Sequence, residues 1–435
     1  MKKSLLCVLL TAVLCVAAVA PMTGCGNNKN DGDTQVLRVV AHTGQDSFLE
    51  PFFEAFMEEN PDIRVEGLYG VDQYQELDTN TPPDLLFIGT GQLADYPQVF
   101  EDINVVIDEY YDNDAAKISA FKSQFMDGLL DYCTYQDKLM ILPNNVNVGL
   151  LYYNKDLFDA AGIAYPDNTW THDDFIRVGK QLTKKDDNGN YTQWGCSTTG
   201  GWWGEYLIYV RQYGGEFYKA DGKTPAMDTP EFKQGIEFFK NKCVGENKFA
   251  PNPGDTSVGA GALGGFISRA TAMEFGGHTG NWVSYNALQG FNWDVEVLPT
   301  PAGKPDARGG ELALEGWGIA KKSKNKTAAM RLLEYLYTAE GTELYSVSGK
   351  LMPTKAFKEK ILSTPKAERP VPQNMEAVFE EMERGIPLPA NPHFTYCAQA
   401  PVWNNIQNYL NGTVSYDGFA TASITAINNY VMMQD

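Results

Sequence analysis

A strand, a helix and a second strand open the folded part of this chain, and that order commits it to a parallel sheet. Val36 through Ala41 are apolar enough for a buried parallel strand. Asp46 or Ser47 caps the next helix, with Pro51 in its first turn. Leu49, Phe52, Phe53 and Phe56 recur at helical spacing, which predicts a buried face. Asn60-Pro61 stops the helix, and Ile63 and Val65 alternate as a short second strand. Such a crossover implies parallel pairing. Asp84 to Ile88 predict another strand, ending at Gly89-Thr90-Gly91. Ligands of open α/β sheets collect outside the carboxyl ends of strands. The loops 42–46 and 89–92 are therefore predicted to line one crevice. His42 reads equally well as a loop residue bonded to backbone.

The same α/β grammar continues. Thr171 and Asp174 form a capping box ahead of Phe175, Val178 and Leu182. Asp187-Asn188-Gly189 predicts a turn, and Leu332, Leu333, Leu336 and Tyr337 a helix. At 435 residues the chain exceeds what one core usually supports, so two lobes are expected. Its net charge of −20 argues against nucleic acid as a partner. Cys133, Cys196, Cys243 and Cys397 are scattered without a CxxC spacing, and the four histidines stand apart, so neither a redox nor a metal site is expected. Cys243 shares a predicted helix face with Phe232, Ile236 and Phe239, as a buried thiol would.

The amino terminus has the layout of an export signal. Lys2 and Lys3 precede an apolar run from Leu5 to Ala20, and small residues lead into Cys25. Met22-Thr23-Gly24-Cys25 resembles a bacterial lipobox, with Met22 where Leu is usual. The resemblance implies that residues 1–24 are removed and that Cys25 carries a lipid such as palmitate. Its place is then the extracytoplasmic face of a bacterial cell membrane. Residues 25–35 are polar and read as a flexible tether. A ten-residue coil spans about 17–19 Å.

No catalytic motif stands out. Gly259, Gly261 and Gly264 match GxGxxG, but Pro251, Pro253 and Gly254 occupy the place a strand would need. Aromatic residues are more informative. Trp202 and Trp203 lie between Gly201 and Gly204, Trp282 follows a run containing Gly276, Gly277 and Gly280, and Trp317 is flanked by Gly316 and Gly318. Rings beside glycines can face a cleft, where they stack on the C–H face of a pyranose. About half of the eight Trp residues are expected to be ordinary core.

Leu150-Leu151-Tyr152-Tyr153-Asn154-Lys155-Asp156-Leu157-Phe158 resembles the signature of the family 1 extracellular solute-binding proteins, the group that includes maltose-binding protein. Pro83-Asp84-Leu85-Leu86, Asn168-Thr169-Trp170-Thr171, Thr271-Ala272-Met273 and Val297-Leu298-Pro299 match its further landmarks in order. The resemblance implies a two-lobed α/β fold of the periplasmic-binding-protein type II, each lobe an α/β sandwich, with three crossings between lobes. Carried onto this chain, lobe one holds 36–143 and 269–326, and lobe two holds 144–268 and 327–435. Lobe one would supply His42, Asp46, Thr90, Gln92, His278, Trp282, Glu311 and Trp317 to the ligand. Asn147 would reach it from the first hinge strand, and lobe two would add Trp202, Trp203 and Tyr396.

The function so implied is a monomeric, lipid-anchored receptor of an ABC importer. It would capture a mono- or oligosaccharide by hinge closure and hand it to membrane permease subunits, with no enzyme activity, cofactor or metal. Two other classes fit parts of the sequence. A secreted carbohydrate-active enzyme would need two carboxylates flanking a bond, and a sensor feeding a membrane kinase would use the same cleft.

Overall fold

The opening strand forms where its apolar run predicts. The computed structural model describes residues 34–198, 203–253 and 264–434. Cys25, most of the predicted tether, Trp202, Gly259 and Gly261 lie outside the described residues. Strand β1 (Gln35–Ala41) pairs in parallel with β2 (Ile63–Tyr69), from Gln35 opposite Ile63 to Ala41 opposite Tyr69. Between them α1 (Asp46–Glu59) buries Leu49, Phe52, Phe53 and Phe56. Asn60 ends it by bonding the Phe56 carbonyl from its backbone and side chain, at 3.0 and 2.8 Å.

The helix entry differs from expectation. Asp46 is already helical, and Gln45 flanks the helix without a side-chain cap bond. The Gln45 amide oxygen instead accepts the His42 backbone N–H at 3.1 Å, which tightens the turn after β1. Pro51 falls beyond the first turn and removes an internal helix bond.

Strand β3 (Leu85–Gly89) joins β1 in parallel, and the remaining pairings are antiparallel except for a short parallel edge at Ile386–Pro387. Its further strands are β4 (Leu142–Asn154), β5 (Met273–His278), β6 (Trp293–Glu296), β7 (Glu311–Ile319) and β8 (Ile386–Pro387). The order is β6-β4-β7-β3-β1-β2, with β5 beside β4 and β8 beside β7.

β4 ties two hydrophobic cores together, and all of its residues are buried. Successive side chains of a strand point to opposite faces. Val146, Val148, Leu150 and Tyr152 enter the first core, and Leu151 and Tyr153 the second. The first core also takes β1–β3, β7 and α1. The second is built on α2 (His172–Leu182), α3 (Trp203–Gln212) and α4 (Pro230–Cys243). The capping box at Thr171 and Asp174 forms as predicted, and Cys243 is buried with its thiol on the Phe239 carbonyl. Inside this core Lys242 pairs with Glu205 and donates to the Ser197 carbonyl at 3.1 Å.

The expected lobe bounds do not coincide with the two cores: Val146, Val148, Leu150 and Tyr152, expected in lobe two, enter the first core, and Ala272, Met273, Phe275 and Leu298, expected in lobe one, enter the second. Residues 327–435, expected wholly in the second lobe, also divide between the cores. Their buried apolar residues from Ala328 to Met382 pack into the first core, and those from Phe394 to Ile427 into the second. The reason lies in α5 (Lys326–Leu336), whose Tyr335 ring meets Phe52 and Phe56 of α1 at 5.5 and 5.6 Å. Helical periodicity announces a buried face but does not say which sheet it covers.

Candidate functional site

A cavity of about 490 Å³ follows the carboxyl end of β1. Its wall combines the turn after β1, alternate residues of β4, the end of β5, and the loop 347–350. The strand period of two sets Asn145 and Asn147 on one face of β4, where both line the cavity. Asn145 is the hub. Its Nδ2 donates to Asn147 Oδ1 at 3.2 Å and to Glu315 Oε2 at 3.0 Å, and its Oδ1 accepts the Leu351 N–H at 3.1 Å. Thr279 adds a hydroxyl bond to Asn147 Oδ1 at 3.2 Å. Lys350 reaches Glu315 Oε2 at 3.4 Å and lies 5.6 Å from the centre of the Phe87 ring. Gly349, with φ of +80°, makes the left-handed turn that brings Lys350 inward.

These contacts set the charge of the site. Burial pushes the Glu315 carboxyl up, but Lys350, Asn145 and His278 outweigh it and leave it below the usual carboxylate range. Burial lowers His278 to about 4, against the pull of Glu315. Burial also lowers His42, opposed by Glu315 and aided by Lys350. The His42 ring stands edge-on to Phe87 with centroids 4.5 Å apart. At neutral pH the cavity therefore presents one carboxylate, one ammonium, two uncharged imidazoles and several amides and hydroxyls. Among the described residues no cluster of three His, Cys, Asp or Glu side chains is placed to hold a metal.

The predicted site residues divide. His42, Asn147 and His278 come together on the cavity wall, and Asp46 opens α1 next to the lining residues Gln45 and Ser47. The loop 89–92 does not join them. The Thr90 hydroxyl accepts the Leu314 N–H at 3.2 Å, and Gln92 is exposed elsewhere. Trp282 is core: its indole N–H donates to the Tyr152 hydroxyl at 2.6 Å. Trp317 is fully buried and donates to the Val40 carbonyl at 3.1 Å. Its flanking glycines serve close packing, since a β-carbon on Gly316 would collide with the Leu142 carbonyl and one on Gly318 with the Phe100 ring. Trp203 is buried in the second core, edge-on to Phe394 at 5.1 Å. Tyr396 stacks on Tyr430 at 4.0 Å and is half exposed, away from this cavity. Glu311 is buried off the cavity, with Oε2 unpartnered.

Gln45, Asn145, Glu315 and Lys350 were not predicted as site residues. Asn145 had a weak signal, an amide two residues before Asn147 in a strand that also carries Asn144 and Asn154. Lys350 had none, because a loop delivers it.

A family model for bacterial extracellular solute-binding proteins matches residues 41–343. The chain is a bacterial extracellular solute-binding protein. A Brucella abortus protein named as a binding protein is 26% identical over 335 residues, covering 75% of this chain and 76% of its own length. An ABC substrate-binding protein of Listeria monocytogenes, solved with cycloalternan, superimposes with a TM-score of 0.76 at 22% identity, over 92% of this chain and 99% of its own. The sugar-binding protein MalE of Xanthomonas citri gives 0.73 at 18% identity, over 92% and 100%. A Thermotoga lettingae solute-binding protein bound to tagatose gives 0.70 at 19% identity, over 91% and 99%. This binding protein thus has the two-lobed α/β fold of those structures. Among its described residues no helix is long and apolar enough to cross a membrane.

Proposed function

We propose that this binding protein is the receptor of an ABC importer for a mono- or oligosaccharide. The cavity beyond β1 carries the proposal, because amides, hydroxyls and a charged pair converge there on a volume suited to a small ligand. Each of those groups can bond a sugar hydroxyl as donor or acceptor. The ligands named for the structural neighbours, cycloalternan and tagatose, are carbohydrates. The two cores are proposed as the two lobes, with β4 as a crossing between them. Closure would then be stabilised by a ligand that contacts both lobes only in the closed state.

Titration calorimetry against cycloalternan, maltose, maltotriose, glucose and tagatose tests the assignment. At least one should bind and raise the melting temperature as its concentration exceeds its dissociation constant. Binding of amino acids or peptides, with all sugars inert, would overturn the ligand class. The lipid at Cys25 belongs to the same proposal, as the anchor that keeps the monomeric receptor beside its permease. Cys25→Ala should move the protein from the membrane fraction to the soluble one, or leave it unprocessed. Lipid still attached to that variant would sink the anchor assignment.

A further inference from the structure

The charge composition of the cavity reaches further than the assignment of a sugar receptor, on which the inference rests. Glu315 and Lys350 are its two formally charged lining residues, and they face each other at 3.4 Å. Neither is freely solvated, with side chains 33% and 13% exposed. Asn145 bonds the same Glu315 oxygen as Lys350, so the pair is held from β4 as well as from the loop 347–350. His42 and His278 add no charge at neutral pH. The remaining polar lining consists of neutral groups such as Gln45, Asn147 and Thr279. The wall is therefore dipolar but has no net charge.

Such a wall discriminates by compensation. A ligand carboxylate drawn to Lys350 competes with Glu315 for its ammonium and weakens the counter-charge of that carboxylate. A ligand ammonium does the reverse to Lys350. Partly buried charges left unpaired are costly, so either exchange loses about what it gains. A polyhydroxyl ligand asks for no exchange. One hydroxyl donates to the Glu315 carboxylate and a neighbouring one accepts from the Lys350 ammonium, both charge-assisted bonds.

We propose that the Glu315–Lys350 couple is the specificity determinant of the cavity, admitting uncharged polyhydroxyl ligands and rejecting their acidic and aminated analogues. Specificity is a difference of affinities, and unpaired charge is a standard way to build one.

The test reads affinity ratios within each variant, so a general loss of folded protein cancels. The wild type, Glu315→Gln, Lys350→Met and the double variant are titrated with three probe classes. Glucose and maltose are the neutral probes, glucuronate and digalacturonate the acidic ones, and glucosamine and its dimer the cationic ones. The wild type should prefer a neutral probe at least tenfold. Glu315→Gln leaves Lys350 uncompensated and should move the ratio at least tenfold toward the acid. Lys350→Met should move it at least tenfold toward the amine, and the double variant should return to neutral preference. Equal wild-type affinity for charged and neutral probes would overturn the inference, as would single-variant ratios within twofold of wild type. If neutral sugars bind but the ratios do not move, only this inference falls. If the wild type binds no neutral sugar in either panel, the receptor assignment falls and takes the inference with it.

Discussion

Lys242→Met is expected to destabilise the protein by about 3–5 kcal/mol, the usual cost of breaking a buried ion pair from one side. Both partners are almost fully buried, at 0% exposure for the Lys242 side chain and 1% for Glu205. Burial disfavours the Lys242 ammonium, but Glu205 outweighs it and holds its pKa well above the usual lysine value. The Ser197 carbonyl at 3.1 Å and the Phe239 and Tyr209 rings at 5.2 and 5.6 Å also surround it. Met fills similar space and removes the charge, so the cost falls on the Glu205 carboxylate that remains. The urea midpoint should drop with little change in slope, since the area exposed on unfolding is nearly the same. Adding Glu205→Gln should recover part of the loss, because the stranded charge is then gone. A loss below about 1 kcal/mol in the single variant would mean that water replaces the lysine at no great cost. The pair lies in the second core, away from the residues that line the cavity beyond β1, so affinity measured well below the melting temperature should hold.

Periodicity and capping carried much of the fold in the sequence. The four buried residues of α1 and the capping box at Thr171 are local patterns whose physics is complete within a few residues. What was not legible depends on which surfaces meet. Glycine beside tryptophan was read as an open ring, yet Gly316 and Gly318 are small because a strand and a phenylalanine press against them. The same glycine signal serves close backbone approach and ring exposure, and only the neighbour decides. The site divides likewise. Asn147 was legible only through the family resemblance, which places it on a hinge strand within reach of the ligand. Glu315 carries no signal of its own in the sequence, since acidic residues are common here. Its meaning comes from Asn145 and Lys350, which stand 170 and 35 residues away in sequence.

Glu311 shows what the structure makes of a predicted ligand residue, and Glu311→Gln is expected to stabilise the protein at pH 8 by about 3 kcal/mol. Burial raises the Glu311 carboxyl from an ordinary 4.5 to about 7, against a smaller opposing pull from Arg211. Its Oε2 has no hydrogen-bond partner. The unfolded chain releases this proton near the ordinary value, whereas the folded protein keeps it to about 7. Between those values the folded state binds more protons, so stability falls as pH rises. The favourable contribution is complete below pH 4.5 and is lost as pH passes about 7. Gln has nearly the shape of the protonated acid and never ionises. The variant should therefore match wild type near pH 4.5 and gain on it progressively up to pH 8. The neighbouring segment complicates any global pH curve, since burial also raises Glu381 to about 7. The difference between variant and wild type isolates Glu311, provided the two carboxyls do not interact strongly. Denaturant midpoints at intervals across that range give the curve directly. A difference that stays flat would show that Glu311 is ionised in the folded state, with water or Arg211 compensating it. Sugar affinity at pH 7 should be unchanged, since Glu311 does not line the cavity. A loss of affinity without a stability gain would return this residue to the ligand.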